Sequence, residues 1–426
     1  MIQHENRSAG AAAGQGQAQQ LSPWVEQLVK AALPHAPKDG SIEAKAEFLR
    51  GLAEKLKGVI EFEKLDPLTM KSVVLKRGYE EVGNLKGHIQ DVFCLQALPD
   101  GRIVSGSGDK TLRVWTRDAD GTWSGEVLSG HSQLVHCLQV LPDGRIVSGS
   151  DDETLRVWAR GTKGELSSEI LSGHSKEVEC LQALPDGRIV SGGRDETLRV
   201  WTRGAKGKWS SEIVSGHTNL VICLQALPDG RIVSGSYDHT LRVWARGADG
   251  EWSSEVLSGH AAAVRCLQAL PDGRIVSGSN DDTLRVWTRG SDGEWSSEVL
   301  SGHADAVMCL QALSDGRIVS GGYDHTLRVW TRGSDGKWSS EVLSGHAHHV
   351  NCLQALPDGR IVSGGYDHTL RVWTRGSDGK WSSEVLSGHA RHVTCLQAIP
   401  DGRIMSGSFD GSIRIWDGTP VERSEP

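Results

Sequence analysis

His88, Ser105 and Asp109 are the residue types of a serine-hydrolase triad, in which a carboxylate orients an imidazole and the imidazole takes a hydroxyl proton. The same trio recurs seven more times, ending with His389, Ser406 and Asp410, and every interval is 43 residues. A reaction needs one such site. Eight regular copies point to a structural duty repeated once per unit. The sequence holds no phosphate-binding glycine loop and no metal-ligand motif. A non-enzymatic chain is expected.

The unit that carries the trio opens on Gly-His and closes on a Trp, at 115, 158, 201, 244, 287, 330, 373 and 416. A period of this length signals an array or a propeller. Stacked repeats share one continuous core, so they override the two or three domains that 426 residues would otherwise suggest. Within a unit, Val92–Ala97 reads as a strand. Pro99-Asp100-Gly101 is a tight turn, because Pro presets φ and Gly accepts a positive one. Residues 102–107 form a second strand, and Gly108-Asp109-Lys110 a second turn. Residues 111–116 are the third strand, and 123–128 the fourth. A lone four-stranded sheet cannot bury both faces, whereas a ring of them can.

Gly-His followed 27 residues later by a Trp, with an Asp six residues before that Trp, resembles the WD-repeat β-propeller family over residues 79–417. The Trp-Asp pair itself survives only as Trp416-Asp417; elsewhere Thr or Ala follows the Trp. The resemblance implies that His, Ser, Asp and Trp of each unit are hydrogen-bonded together. In the first copy these are His88, Ser105, Asp109 and Trp115; in the last, His389, Ser406, Asp410 and Trp416. Strand arithmetic then predicts an all-β, eight-bladed propeller. The last repeat has no outer strand of its own, and the segment 79–85 precedes the first Gly-His as an outer strand would. It is expected to complete the eighth blade and leave no open sheet edge. A seven-bladed ring with a spare repeat is the alternative, and it would strand one blade's apolar faces in solvent.

The remainder of the chain is different in kind. Residues 1–20 are a Gly-, Ala- and Gln-rich tail expected to be disordered. Residues 21–78 are expected to form a small helical segment. There Ser22-Pro23 starts a helix bearing Val25, Leu28 and Val29, and Phe48, Leu49, Leu52 and Leu56 align on a second. Residues 418–426 are a C-terminal tail. The net charge of −8 is spread along the chain and leaves no basic stripe for nucleic acid. No apolar run approaches the ~18 residues of a membrane span. The eight cysteines fall one per repeat, without Cys-x-x-Cys, and read as buried small hydrophobes in a reducing compartment.

Function is read from where the copies disagree. Two places vary: the loop after Gly-His with the residue after the following Val, and the residues flanking the network Asp. Strand alternation puts both at one face of the ring, the top, while the Pro-Asp-Gly turns at the other face barely change. Loops on a rigid scaffold are where binding residues gather. The top-face candidates in blades one to three are Phe93, His136, Glu153, Glu177, Glu179 and Glu196. Those in blades four to six are Tyr237, His239, Arg265, Tyr323 and His325; those in blades seven and eight are His348, His349, Tyr366, His368, Arg391, His392 and Phe409. The aromatic and His sector with Arg391 suits a protein contact, and an acidic flank in blades two and three would steer a basic partner. Metal binding needs three or four nitrogens converging at about 2.1 Å, which residues spread over separate blades seldom achieve, so no metal and no cofactor are expected. A pH-sensitive interface remains open for the histidines. The expected protein is thus a cytoplasmic monomer that binds a protein or peptide on its top face. The alternative is a subunit of a larger complex, such as a ubiquitin ligase, with the helical segment as adaptor, or a secreted bacterial effector. Against the ligase, the family's docking Arg stands three residues after the Trp, whereas Arg117 stands two after Trp115.

Overall fold

The computed structural model describes residues 79–161, 164–399 and 402–418. The expected tail over 1–20, the helices over 21–78 and the tail beyond residue 418 fall outside them. The chain divides between Arg77 and Gly78, and the described residues all belong to the second unit.

Among the described residues the strands form eight four-stranded antiparallel sheets. The first comprises Val92–Ala97, Ile103–Ser107, Thr111–Arg117 and Trp123–Ser129, hydrogen-bonded in chain order. Sequence alternation sets this pattern, and the Leu98–Arg102 turn closes the first hairpin with Gly101 at φ 85°. The eighth sheet is built from Val393–Ala398, Ile404–Ser408 and Ser412–Asp417, and its outer strand is Glu80–Lys86 from the opposite end of the repeat array. The first strands of neighbouring sheets touch in sequence all the way round, and that of the last touches that of the first. The result is an eight-bladed β-propeller with the first strands innermost.

Apolar clusters lie between blades rather than within them. Leu184, Val190, Leu198, Val200 and Val214 of the third blade pack on Val221, Ile232 and Trp244 of the fourth. The closing contact is of the same kind, with Leu85, Met405, Ile413 and Ile415 against Val92, Leu95, Ile103 and Trp115. Blade spacing is set by one glycine per second strand. A Cβ on any of these eight glycines, from Gly106 to Gly407, would stand 2.5–2.9 Å from the inner-strand valine of the next blade. It would also crowd its own blade's cysteine Sγ at 2.6–2.9 Å. The cysteines are free, and burial pushes the Cys266 and Cys395 thiols up to about 12. They fill space under the glycines and are not ionised at neutral pH.

The polar trio and the Trp form one directed chain in every blade. Trp115 Nε1–H donates to Ser105 Oγ at 2.8 Å, and His88 Nε2 lies 2.8 Å from the same oxygen. His88 Nδ1 lies 2.8 Å from Asp109 Oδ2. Indole can only donate and carboxylate can only accept. So Nδ1 carries the His proton, and the Ser hydroxyl donates to Nε2. The eight copies keep these distances within 2.7–3.0 Å. Every one of the serines is 0 % exposed, which seals the hydroxyl that a hydrolase would need as nucleophile. The carboxylate does more than orient the imidazole. Asp281 accepts from His260 Nδ1, the Ala261 amide, and both the amide and hydroxyl of Thr283. Burial alone would raise its pKa, but these donors hold it at about 2. Burial likewise opposes, and His88 and Thr111 overcome, at Asp109, which sits well below the ordinary carboxylate range.

Three outcomes are expected. Gly235→Ala overpacks the junction of blades four and five and costs about 1–3 kcal/mol, read as a lower melting temperature. Asp281→Ala strips four donors of their acceptor and costs about 3 kcal/mol or more in the same melt. The pH dependence follows from the direction of the Asp shifts. A carboxyl whose folded pKa lies below its unfolded value of about 3.9 stabilises the fold fully above that value, and the gain is lost as pH falls through the folded pKa. The carboxylate contribution should therefore hold level down to about pH 5 and be lost between about pH 4 and 2, read as a steep fall in melting temperature over that range; no such fall by pH 3 would contradict this account.

Candidate functional site

The innermost strand of every blade carries a β-bulge near its start. Val92 pairs with Ser107 and Cys94 with Gly106, which leaves Phe93 as the extra residue. The same place holds His136, Glu179, Ile222, Arg265, Met308, Asn351 and Thr394. A bulge re-aims a side chain without breaking the sheet. Here all eight bulge residues line a single cavity of about 410 Å³ at the mouth of the central channel. Leu220, Arg194, Tyr237, Tyr323, Tyr366 and Phe409 complete the lining. The Pro-Asp-Gly turns lie at the other end of the same hairpins. A second cavity of about 480 Å³ lies on the circumference between Glu212 and Trp252. Its walls repeat from blade to blade, and the Arg246–Glu212 pair at 2.8 Å recurs as Arg289–Glu255 and Arg332–Glu298, so it offers no individual surface.

Half of the mouth is an unbroken arc of rings. Tyr323 stacks near His349 with centroids 4.1 Å apart, and Tyr366 on His392 at 4.0 Å. His349 meets Tyr366 at 5.6 Å, and His392 meets Phe409 at 5.7 Å. Phe409 then contacts Phe93 at 5.6 Å, and Phe93 stacks on His136 at 5.9 Å. These two histidines are held by backbone carbonyls of the preceding blade: His349 Nδ1 lies 2.9 Å from the Tyr323 carbonyl, and His392 Nδ1 2.9 Å from that of Tyr366. Arg391 lies over the Phe409 ring at 5.6 Å and pairs with Asp91 at 3.2 Å.

The other half is charged but closed on itself. His136 Nε2 is 3.0 Å from Glu179, whose other oxygen takes Arg194. Burial would raise Glu179, yet hydrogen bonds from His136 and Arg194 bring it to about 2. Burial would lower His136, and Glu179 raises it on balance. Glu177 also faces Arg194, at 3.8 Å. Within the expected acidic flank Glu179 is paired inside the ring, and Glu153 and Glu196 are exposed carboxylates of that sector. Arg265 lies over the Tyr237 ring at 5.5 Å and donates to its hydroxyl.

Glu153, Glu196, His239, His325 and His368 share a property that the sequence does not announce. Each follows the network Asp and sits at φ 65–71°, as do Lys110 and Asp282. Only the eighth blade places glycine there, Gly411, where a Cβ would come within 2.9 Å of the His88 carbonyl oxygen. A side chain in this left-handed region costs about 1–2 kcal/mol.

Eight of the sequence candidates line the cavity: Phe93, His136, Glu179, Tyr237, Arg265, Tyr323, Tyr366 and Phe409. Glu153, Glu177, Glu196, His239, His325, His348, His349, His368, Arg391 and His392 do not line it and stand in the surrounding loops. Missing from the candidates were Arg194, Leu220, Ile222, Met308, Asn351 and Thr394. All six fall at positions where the copies differ. One grouping was not anticipated. His325, His348 and His349, on adjacent blades, do converge, each with a ring nitrogen within 4.8 Å of the others. The turn of one blade abuts the entry loop of the next, which brings residues 23 apart in sequence together.

No curated protein matches this chain. Among solved structures it is similar to the WD40 beta propeller domain of Doa1, at 25% identity and a TM-score of 0.54, over 80% of this chain and 97% of that one. The profile of the family described as WD domain, G-beta repeat, matches residues 79–116, 124–159, 165–202, 209–245, 252–288, 295–331, 338–374 and 381–417. With eight matches around the ring, each taking the outer strand of one blade and the inner three of the next, and most of the chain covered, this protein belongs to the WD40 repeat family, whose propellers serve in general as protein-interaction modules.

Proposed function

We propose that the channel mouth is a non-enzymatic recognition site for a segment of a protein partner. The observation that carries this reading is the convergence of the eight bulge residues, one from each blade and no two alike, on one cavity within an otherwise repeated frame. At about 410 Å³ the cavity lies at the low end of ligand pockets, about 300–1,000 Å³, so it suits a few side chains of a peptide or projecting loop. Phe93, Tyr237, Tyr323, Tyr366 and Phe409 supply rigid rings, and Leu220, Ile222 and Met308 supply apolar wall. An apolar or aromatic side chain would enter this arc. Arg391, exposed at the edge, and the outward carboxylates Glu153 and Glu196 would meet the polar flanks of the segment. Loops and aromatic anchors of this type dominate protein contacts. The sealed serines support a role without catalysis, and the unpaired cysteines suit a reducing compartment such as the cytoplasm.

The test compares three proteins in capture and affinity measurements: wild type, the triple variant Tyr323→Ala/Tyr366→Ala/Phe409→Ala, and the bottom-turn variant Arg188→Ala. The partner captured by wild type should bind Arg188→Ala equally. It should lose at least about 30-fold in affinity for the triple variant, the equivalent of one anchor worth about 2 kcal/mol. The melting temperature of the triple variant should fall by only a few degrees. Equal binding to the triple variant, or loss on Arg188→Ala alone, would place recognition elsewhere.

A further inference from the structure

We propose that His325, His348 and His349 bind one divalent transition-metal ion of the kind imidazole favours, such as zinc, at the rim between the sixth and seventh blades. The proposal is independent of the partner reading above. One nitrogen of each ring lies within 4.8 Å of the others, and the ring centroids are 4.6–5.3 Å apart. Three nitrogens bound tetrahedrally at about 2.1 Å would stand about 3.4 Å apart. His348 is exposed, so its side chain is free to rotate over the remaining distance.

The supporting shell is already in place. His349 Nδ1 is 2.9 Å from the Tyr323 carbonyl oxygen, which can only accept. The proton therefore sits on Nδ1, and Nε2 is left with its lone pair. Metal-bound histidines are ordinarily held by such an outward N–H bond. Tyr323 stacks on the same ring and limits its rotation. His325 projects from a backbone at φ 65°, where a glycine would be the less costly residue. Three protein ligands and an exposed position leave the fourth coordination place to water or to an incoming group.

The next blade junction is an internal control. Tyr366, His368 and His392 repeat the arrangement of Tyr323, His325 and His349: the His392 Nδ1 contact is again 2.9 Å, and the His368–His392 centroid distance again 5.3 Å. There Arg391 replaces His348 and is turned away onto Phe409 and Asp91. One junction thus offers three imidazoles and its neighbour two. Among the described residues no other three of His, Cys, Asp and Glu bring their ligand atoms within 4.8 Å of one another.

The test titrates the full chain, freed of any histidine tag, with Co²⁺ followed by its tetrahedral d–d absorption, and with Zn²⁺ by calorimetry. Wild type should bind one equivalent. His348→Arg, which copies the neighbouring junction, should bind at least about 100-fold more weakly, beyond what loss of an outer-shell partner costs. His325→Gly, which relaxes the backbone, should behave the same. Arg391→His should bind two equivalents. Thermal melts check that each variant is folded. The site is refuted if wild type takes up no stoichiometric ion, if the ion survives His348→Arg and His325→Gly, or if folded Arg391→His binds only one.

Discussion

In each blade a single buried hydroxyl joins three pieces of chain that would otherwise be independent. Ser105 stands on the second strand, Trp115 on the third, and His88 in the loop that enters the first. The hydroxyl must accept from one and donate to the other, so its two bonds fix both partners. The imidazole transmits the constraint to Asp109, and the carboxylate gathers the Ile89 and Thr111 amides and the Thr111 hydroxyl. Polar groups in a dry interior are costly unless all are satisfied. The chain of bonds is therefore close to all-or-none, and it ties the top loops to the sheet. Its members are also the immediate neighbours of the residues that vary: His88 precedes the variable loop, and Asp109 lies between Gly108 and Lys110. The frame is fixed one residue away from where its contents change.

Much of this architecture was legible in the sequence. The 43-residue period, the alternation in Val92–Ala97 and the Pro-Asp-Gly turn led to four strands per blade and eight blades. The absence of an outer strand after Trp416 pointed to the segment before Gly87. What could not be read were features that depend on two strands at once. Val-Phe-Cys in a bulge has the composition of Val-Phe-Cys in a regular strand; the bulge exists only in the pairing of Val92 and Cys94 with consecutive residues Ser107 and Gly106. The left-handed turn residues lacked a signal because seven of them are not glycine. The pairing of His136 with Glu179, and of His325 with His348, arises between adjacent blades, and no local pattern encodes it.

The mouth is asymmetric although its frame is not. On one side the rings of seven residues support one another, and two are pinned by backbone carbonyls. A surface ordered in this way before binding loses little side-chain freedom on contact. On the other side Glu179 is buried between His136 and Arg194 and has its charge answered within the ring. The exposed carboxylates on that side are Glu153 and Glu196, whose field is short-ranged at physiological salt, where the Debye length is about 8 Å.

The turn residues argue that this asymmetry is not incidental. Glycine would relieve the left-handed backbone at Lys110, Glu153, Glu196, His239, Asp282, His325 and His368, and the eighth blade shows that the turn accepts it. At Gly411 a close backbone contact with His88 accounts for the choice. In the other seven blades a side chain is retained at a standing cost of about 1–2 kcal/mol. Those side chains are charged or imidazole in every case, and all stand on loops outside the cavity lining. If they served only to complete the turn, glycine would do so at lower free energy. All seven retained side chains stand on the one face where the blades differ.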